Sequence, residues 1–248
     1  MNPQAGIVID NVGFSYGDNK VFESVSLEVP KGEVWALLGR SGCGKTTLLH
    51  ILAGIFQPTR GSVNIYGPNG QANRRIKGMV FQDDSLLGWL FVIDNVLFPL
   101  HRKTDEKRRD YAVEILTSVG LSENMSDYPF KLSAGMRKRV EFARAIIADE
   151  DYILADEPFG TLDALTRRDL WQLWNQLRVK RPRTGILATH DPEEAVRLCD
   201  AVVTMRKGNP GGVSKIIRIP QELRSRGIDN ESDEIHRMKS EIIQSLGE

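Results

Sequence analysis

Residues Gly39-Arg40-Ser41-Gly42-Cys43-Gly44-Lys45-Thr46 carry the spacing G-x-x-x-x-G-K-[ST] in full. Glycines at 39, 42 and 44 let the backbone wrap closely and turn N–H donors inward, toward phosphate oxygens. A helix opening at Lys45 would add the partial positive charge of its N-terminus at the same place. Lys45 would then bridge the β- and γ-phosphates of a bound nucleotide. The Thr46 hydroxyl would be a Mg²⁺ ligand, and Thr47 could reach a phosphate nearer the nucleoside.

A second cluster lies downstream. Tyr152-Ile153-Leu154-Ala155 is an apolar strand that ends in Asp156 and Glu157. A buried strand of this kind delivers Asp156 to the edge of a sheet, where it can hold Mg²⁺ through water. Glu157 would face the γ-phosphate and orient or deprotonate an attacking water. Another apolar strand, Gly185 to Thr189, ends at His190, a position from which an imidazole could sense the γ-phosphate. Asp191-Pro192-Glu193-Glu194 then reads as a helix start: N-cap, proline at the first helical position and acids in the first turn.

These groups need a frame. Gly6 to Tyr16 and Ser24 to Val29 alternate apolar and polar residues, as half-buried antiparallel strands do. Val34 to Leu38 is a compact apolar run suited to a strand buried on both faces. The glycine turn follows it, then a helix is expected over Lys45 to Ala53. Strand, glycine turn and helix is the context a phosphate loop requires. Roughly Leu86 to Ile147 is mostly helical in pattern, with a charged segment from His101 to Asp110, and another helix is expected over Ala164 to Lys180. Strands alternating with helices imply a parallel sheet whose carboxyl edge carries the polar clusters. Ile235, Met238, Ile242 and Leu246 recur at helical spacing and predict a last amphipathic helix docked on the body. No internal repeat or low-complexity linker divides the chain.

Composition sets limits. The 248 residues are enough for a sizeable core, and 41% hydrophobic with 27% charged residues fits a folded globular protein. Lys plus Arg and Asp plus Glu are 33 each, a formal net charge of zero, which argues against general affinity for nucleic acid. Cys43 and Cys199 lie far apart without a CxxC pair, so a disulfide framework or zinc site is not expected and a reducing cytosol fits. Met1 to Asp10 has no signal-peptide pattern, and no run of about 18 apolar residues occurs. A membrane role would have to come through a partner.

Leu132-Ser133-Ala134-Gly135-Met136, followed by Arg137-Lys138-Arg139-Val140-Glu141-Phe142-Ala143-Arg144-Ala145, resembles the signature of the ABC ATPases, usually written LSGGQ. The order of phosphate loop, Gln82, signature, Asp156-Glu157, Gly160-Thr161-Leu162-Asp163 and His190 is similar to the complete series of that family. The resemblance covers about residues 6 to 210. It implies an α/β P-loop NTPase of ABC type: a mixed central sheet flanked by helices, an antiparallel β-subdomain and a helical subdomain over about 86–147. One such domain would occupy 1–248, with a C-terminal helix over about 233–247. By the same resemblance Tyr16 stacks on adenine, and Gln82 meets Mg²⁺ or the lytic water. Ser133 and Gly135 touch the γ-phosphate held by the opposite subunit, and Asp163 belongs to the loop that links the two sites. The implied machine is a Mg²⁺-dependent ATPase, a homodimer enclosing two ATP molecules.

Two departures stand in the signature. Ala134 replaces a glycine, which would cost backbone freedom if the position needs positive φ, and Met136 stands where glutamine is commoner. Hydrolysis is expected to survive both. After Gln82, the segment Asp83 to Val96 holds Leu86, Leu87, Trp89, Leu90 and Phe91, an apolar cluster too dense for a solvent loop. It fits either packing of the helical part or a groove for a membrane subunit's cytoplasmic helix. This segment and Asp156 to Thr166 resemble ATPases of nitrate, sulfonate and taurine importers, although Gly88 replaces the usual proline. That resemblance implies a peripheral subunit on the cytoplasmic face of the membrane, with integral permease partners and, indirectly, a substrate-binding protein. An exporter or lipoprotein-release ATPase stays open beside it. A soluble ABC ATPase acting on DNA or ribosomes fits less well, because only residues 83–132 separate Gln82 from Ser133 and there is one ATPase domain.

Overall fold

The computed structural model describes every residue except 1–4, 68–69, 73–74, 104, 149–150, 161, 207–210, 226–231 and 248. Thr161, inside the Gly160 to Asp163 stretch, therefore lies outside the described residues.

Two antiparallel strands come first, β1 (Ala5–Tyr16) and β2 (Asn19–Pro30), then β3 (Val34–Gly39) and helix α1 (Lys45–Leu52). Strands β4 (Arg60–Ile65) and β5 (Met79–Val80) follow. Helices α2 (Val92–Leu97), α3 (Glu106–Ser118) and α4 (Ala134–Ala148), with short 3-10 turns between them, fill the middle of the chain. Then come β6 (Tyr152–Asp156), α5 (Ala164–Lys180), β7 (Thr184–Thr189), α6 (Pro192–Leu198), β8 (Ala201–Arg206) and β9 (Gly212–Arg218). Helices α7 (Gln221–Ser225) and α8 (Asp233–Gly247) end it.

The strands form two sheets. One is three-stranded and antiparallel, in the order β2-β1-β4; the other has six strands in the order β5-β6-β7-β3-β8-β9. In the larger sheet β5, β6, β7, β3 and β8 run parallel, and β9 joins antiparallel at the edge. This is the mixed central sheet and antiparallel companion of an ABC-type P-loop fold.

Every residue of β3 is buried, and its two faces feed different cores. Val34, Ala36 and Leu38 pack with α2 to α6 and α8 on one side. Trp35 and Leu37 pack with α1 and the antiparallel sheet on the other. The same alternation runs through β6, where Ile153 and Ala155 face the first core and Tyr152 and Leu154 the second. A strand with a core on each side has no polar face, which explains the unbroken apolar runs in sequence.

Residues 86–91 are not helical. Asn95, fully buried in α2, accepts from Leu87 N–H (2.8 Å) and donates to the carbonyls of Leu87, Leu90 and Phe91 at 3.0–3.2 Å. One amide thus satisfies a turn's backbone and holds it out of the helix. Among the described residues no helix is long and apolar enough to cross a membrane.

Candidate functional site

The parallel register sets the site. Asp156 is level with Ala188, Leu38 with Thr189 and Gly39 with Met205, so the carboxyl ends of β6, β7 and β3 meet at one edge. A cleft of about 710 Å³ opens there, lined by the phosphate loop, Gln82, Asp156, Glu157, Gly160 and His190, with Tyr16, Asn19 and Val21 from β1 and β2.

The loop turns into α1 through Gly44, whose φ of 102° suits glycine and which gives the helix no side-chain cap. A Cβ there would also lie 2.9 Å from Val21 and 3.0 Å from the Phe22 ring. Inside α1 the Leu48 N–H bonds Gly44 O at 2.9 Å. Helical geometry leaves the amides of Lys45, Thr46 and Thr47 without an intrahelical acceptor, a ready anion site. The Lys45 ammonium donates to Gly39 O at 2.7 Å, folded back along its own loop. The Tyr16 ring is half exposed, and its hydroxyl is 3.4 Å from that of Thr47. Phe14 and Phe56 brace that ring edge-on, with centroids 4.9 and 5.9 Å away.

Three predicted loop residues do not line the cleft. Arg40 points to solvent and the Cys43 side chain is buried. The Cys43 N–H is donated back to Arg40 O at 3.2 Å. Gly39 is wedged where a Cβ would meet Cys43 Sγ at 2.6 Å and Met205 O at 2.7 Å. These residues shape the loop from behind.

Asp156 is buried, and desolvation pushes its carboxyl above the usual range. A hydrogen bond from Thr46 and the charges of His50, Lys45 and Lys138 pull the other way. Its Oδ1 has no hydrogen-bond partner among the described residues. A buried, unsatisfied carboxylate oxygen beside a threonine hydroxyl, with the Gln82 amide facing the same cleft, fits a Mg²⁺ ion. That ion takes few protein ligands and completes its shell with water and phosphate oxygens.

Glu157 adopts φ 47°, rare for a residue with a side chain. Its N–H bonds Ala188 O at 2.9 Å, and its Oε2 is 2.7 Å from His190 Nδ1. The carboxylate is largely covered while the imidazole is exposed, so the pair has one member behind and one at the mouth.

Ser133 and Gly135 are not in this cleft. They sit at the start of α4, where Ser133 Oγ accepts from Met136 N–H at 3.2 Å. Ala134 is the first residue of that helix and is not among the residues with positive φ, so alanine brings no backbone penalty there. The condition under which Ala134 would cost backbone freedom, a positive φ, is not met. Asp163 caps α5, accepting from Leu165 and Thr166 N–H at 3.1 and 3.0 Å, and these bonds hold its carboxyl below the usual range. Arg167 spans from Leu162 O (3.0 Å) to the Asp191 carboxylate (3.8 Å), joining that loop to the turn after His190.

Sequence reasoning missed Asn19 and Val21, because the alternation that marks β2 is legible only from Ser24 onward. It also missed the buried Lys138–Glu141 pair of α4, whose charges read as part of a solvated helix face.

A phosphate loop, a buried carboxylate at a strand end, a glutamate–histidine pair and a separate signature helix define the class of ABC nucleotide-binding cassettes. The ABC transporter family matches residues 22–160. An aliphatic sulfonates import ATP-binding protein of Rhodococcus jostii is 41% identical over 215 residues, 87% of this chain and 84% of that protein. A taurine import ATP-binding protein of Jannaschia sp. is 37% identical over 240 residues, 94% of this chain and 88% of that one. The dimeric structure of MJ0796, a bacterial ABC transporter cassette, superposes with a TM-score of 0.75 at 29% identity, covering 86% of this chain and 99% of that one. A post-hydrolysis state of the same cassette bound to ADP and Pi gives 0.74 at the same identity and coverage. The chain belongs to the ABC transporter family.

Proposed function

We propose that this chain is the ATP-hydrolysing subunit of an ABC importer for a small organic anion of the sulfonate or taurine kind. The observation that carries the reading is the meeting of the phosphate loop, Asp156, Glu157, His190 and Gln82 on one sheet edge. The names of the relatives supply the direction of transport and the solute class.

In this reading Lys45 leaves Gly39 O and turns to the β- and γ-phosphates. The amides of Gly42, Gly44, Lys45, Thr46 and Thr47 hold the phosphate chain, and Tyr16 carries the adenine. Thr46, Gln82 and Asp156 would hold Mg²⁺, which neutralises charge developing on the phosphoryl oxygens. Glu157 orients and deprotonates the lytic water, and His190, braced on Glu157, touches the γ-phosphate. Ser133 and Gly135 serve the site of a second copy, so two chains close around two nucleotides. Dimeric relatives of the same fold support this arrangement.

The load attaches at an apolar face. Phe91, Tyr128 and Phe130 form a row of rings with centroids 4.6 and 5.7 Å apart; Phe130 is 75% exposed, and Trp89, from the same turn as Phe91, is 74% exposed. Leu86 is spent on the core, whereas Trp89 and Phe91 stand out from the turn that Asn95 holds. An aromatic face on a rigid turn suits the cytoplasmic helix of a permease subunit, which would place the chain at the cytoplasmic face of the membrane.

The test is gentle detergent extraction of the tagged chain from its own membranes, with mass spectrometry of what co-purifies. A polytopic membrane protein in equal amount is expected. Free subunit, ribosomal proteins or DNA-repair factors would leave the ATPase chemistry standing and sink the importer reading.

A further inference from the structure

Gln82 differs from the other groups of the cleft in how its backbone is held. Asp156 and Thr189 end β6 and β7, strands hydrogen-bonded on both sides. Gln82 follows β5, a strand of two residues at the sheet's edge that pairs with β6 alone. The sheet gives it little support.

Helix α4 supplies what the sheet does not. Lys138, its side chain 7% exposed, donates to Phe81 O at 2.5 Å and Gln82 O at 3.0 Å. Glu141, 1% exposed, lies with Oε2 2.9 Å from the same ammonium, as an ionic contact outside hydrogen-bond alignment. Glu141 Oε1 accepts from Ser85 N–H at 2.5 Å and Ser85 Oγ at 2.8 Å. Arg144, one turn on, donates to Ser85 O at 2.8 Å and also to its hydroxyl. Arg137 pairs with Asp84 at 2.6 Å. Four side chains from one face of α4 thus grip residues 81–85.

Burying two opposite charges is seldom a gain in stability over a neutral packing, so stability alone does not account for the pair. What charges do better is fix geometry: two directed bonds to consecutive carbonyls leave the segment one position to occupy. We propose that Lys138 and Glu141 are positioning residues for Gln82, setting the place of its amide at the reacting centre from α4, the helix that follows Ser133. This rests on the reading above that Gln82 serves Mg²⁺ or the lytic water. Removing the pair should leave nucleotide affinity alone and slow turnover through Gln82, and taking out both charges together keeps the net charge near Asp156, which the Lys138 ammonium also faces, unchanged.

The test is a mutant cycle on the purified full chain with MgATP, reading kcat, KM and the affinity for a fluorescent ATP analogue. Lys138→Gln and Glu141→Gln are made together, so that no lone charge is left buried. The pair variant should lose roughly tenfold or more in kcat, since misplacement by ~1 Å at a reacting centre costs up to about a hundredfold. ATP affinity should stay within about twofold. Added to Gln82→Ala, the pair variant should cause no further loss, because both act on one group. Losses that multiply, or a pair variant as fast as the parent beside an impaired Gln82→Ala, would overturn the positioning role alone. A fully active Gln82→Ala would instead remove the reading on which the proposal rests. Should the pair variant fail to fold, Ser85→Ala enters the same cycle, and multiplying losses there would count equally against the proposal.

Discussion

At the scale of single residues, the cleft is built from groups held away from their comfortable states. Glu157 sits in the left-handed region without being glycine, a strain of order 1–3 kcal/mol that its surroundings must over-determine. The Ala188 carbonyl and the His190 ring do so, and together they aim its carboxylate at the cleft. Glu194, in the first turn of α6 and behind the cleft, where it accepts from Thr189, is a second case. Burial, with the nearby charges of Asp191 and Glu157, pushes its carboxyl up to about 7 from an ordinary 4.5, against a hydrogen bond from Thr189 and the charge of Arg167. The folded chain therefore keeps a proton that the unfolded chain has released across this window. Stability falls as pH rises from about 4.5 to about 7, and the loss is complete above that. Glu194→Gln keeps an acceptor for Thr189 and cannot ionise. It should melt higher than the parent at pH 8, by about 3 kcal/mol, with the gap closing toward pH 4.5. A constant gap across that range in thermal melts would show that the carboxyl ionises normally.

At the scale of elements, the turn at 87–91 depends on one side chain. Asn95→Ala would strand the Leu87 N–H and weaken the hold on three carbonyls, costing about 2–3 kcal/mol. Because that turn carries Trp89, the variant should also lose co-purifying membrane subunit while keeping its nucleotide affinity, a split that pull-down and fluorescence titration can read. This turn was illegible in the sequence, where its leucines merge with the helix that follows. Helix α5 was legible from its local pattern over about Ala164 to Lys180, and the structure adds that Asp163 caps its start. The phosphate loop, Asp156 and His190 were legible for a similar reason: glycine spacing, and strands that stop at polar residues, are local signals. Strand β4 was not, because it opens on exposed Arg60 and Gly61 and its alternation, Ser62 to Ile65, spans only four residues. Strand β8 was not either, as a short apolar run reads equally as buried helix or buried strand. The α4 clamp was hidden because its partners at 81–85 come together with it only in the fold.

At the scale of the whole molecule, the proposed function has the chain carry the halves of two sites and complete neither alone. Its phosphate cleft and its α4 start are separate surfaces, and Gly135 packs instead near Leu162 and Thr166 of its own chain. Glu157→Gln preserves shape and hydrogen bonding but removes the base. It should accumulate as an ATP-bound dimer on size exclusion, with turnover down at least about a hundredfold. A variant that stays monomeric with ATP, or that turns over at the parent's rate, would undo the assignment of Glu157.

The two-sided burial of the central strands also bears on how they find their alignment. Where one face is wet, a strand that slides by one residue exposes its apolar side and is rejected. Here both faces are dry, so greasiness cannot tell the right pairing from its neighbour, about 3.3 Å away. Bulk has to decide. Trp35 and Tyr152 face one core while Ala36 and Ala155 face the other, and Gly185 lies where a Cβ would come within 2.2 Å of Ile153 O. A side chain displaced into that slot would not fit. The stepped meeting of Asp156, Thr189 and Gly39, each one residue further along the sheet than the last, is thus a vernier reading, set by the sizes of residues that never see the nucleotide.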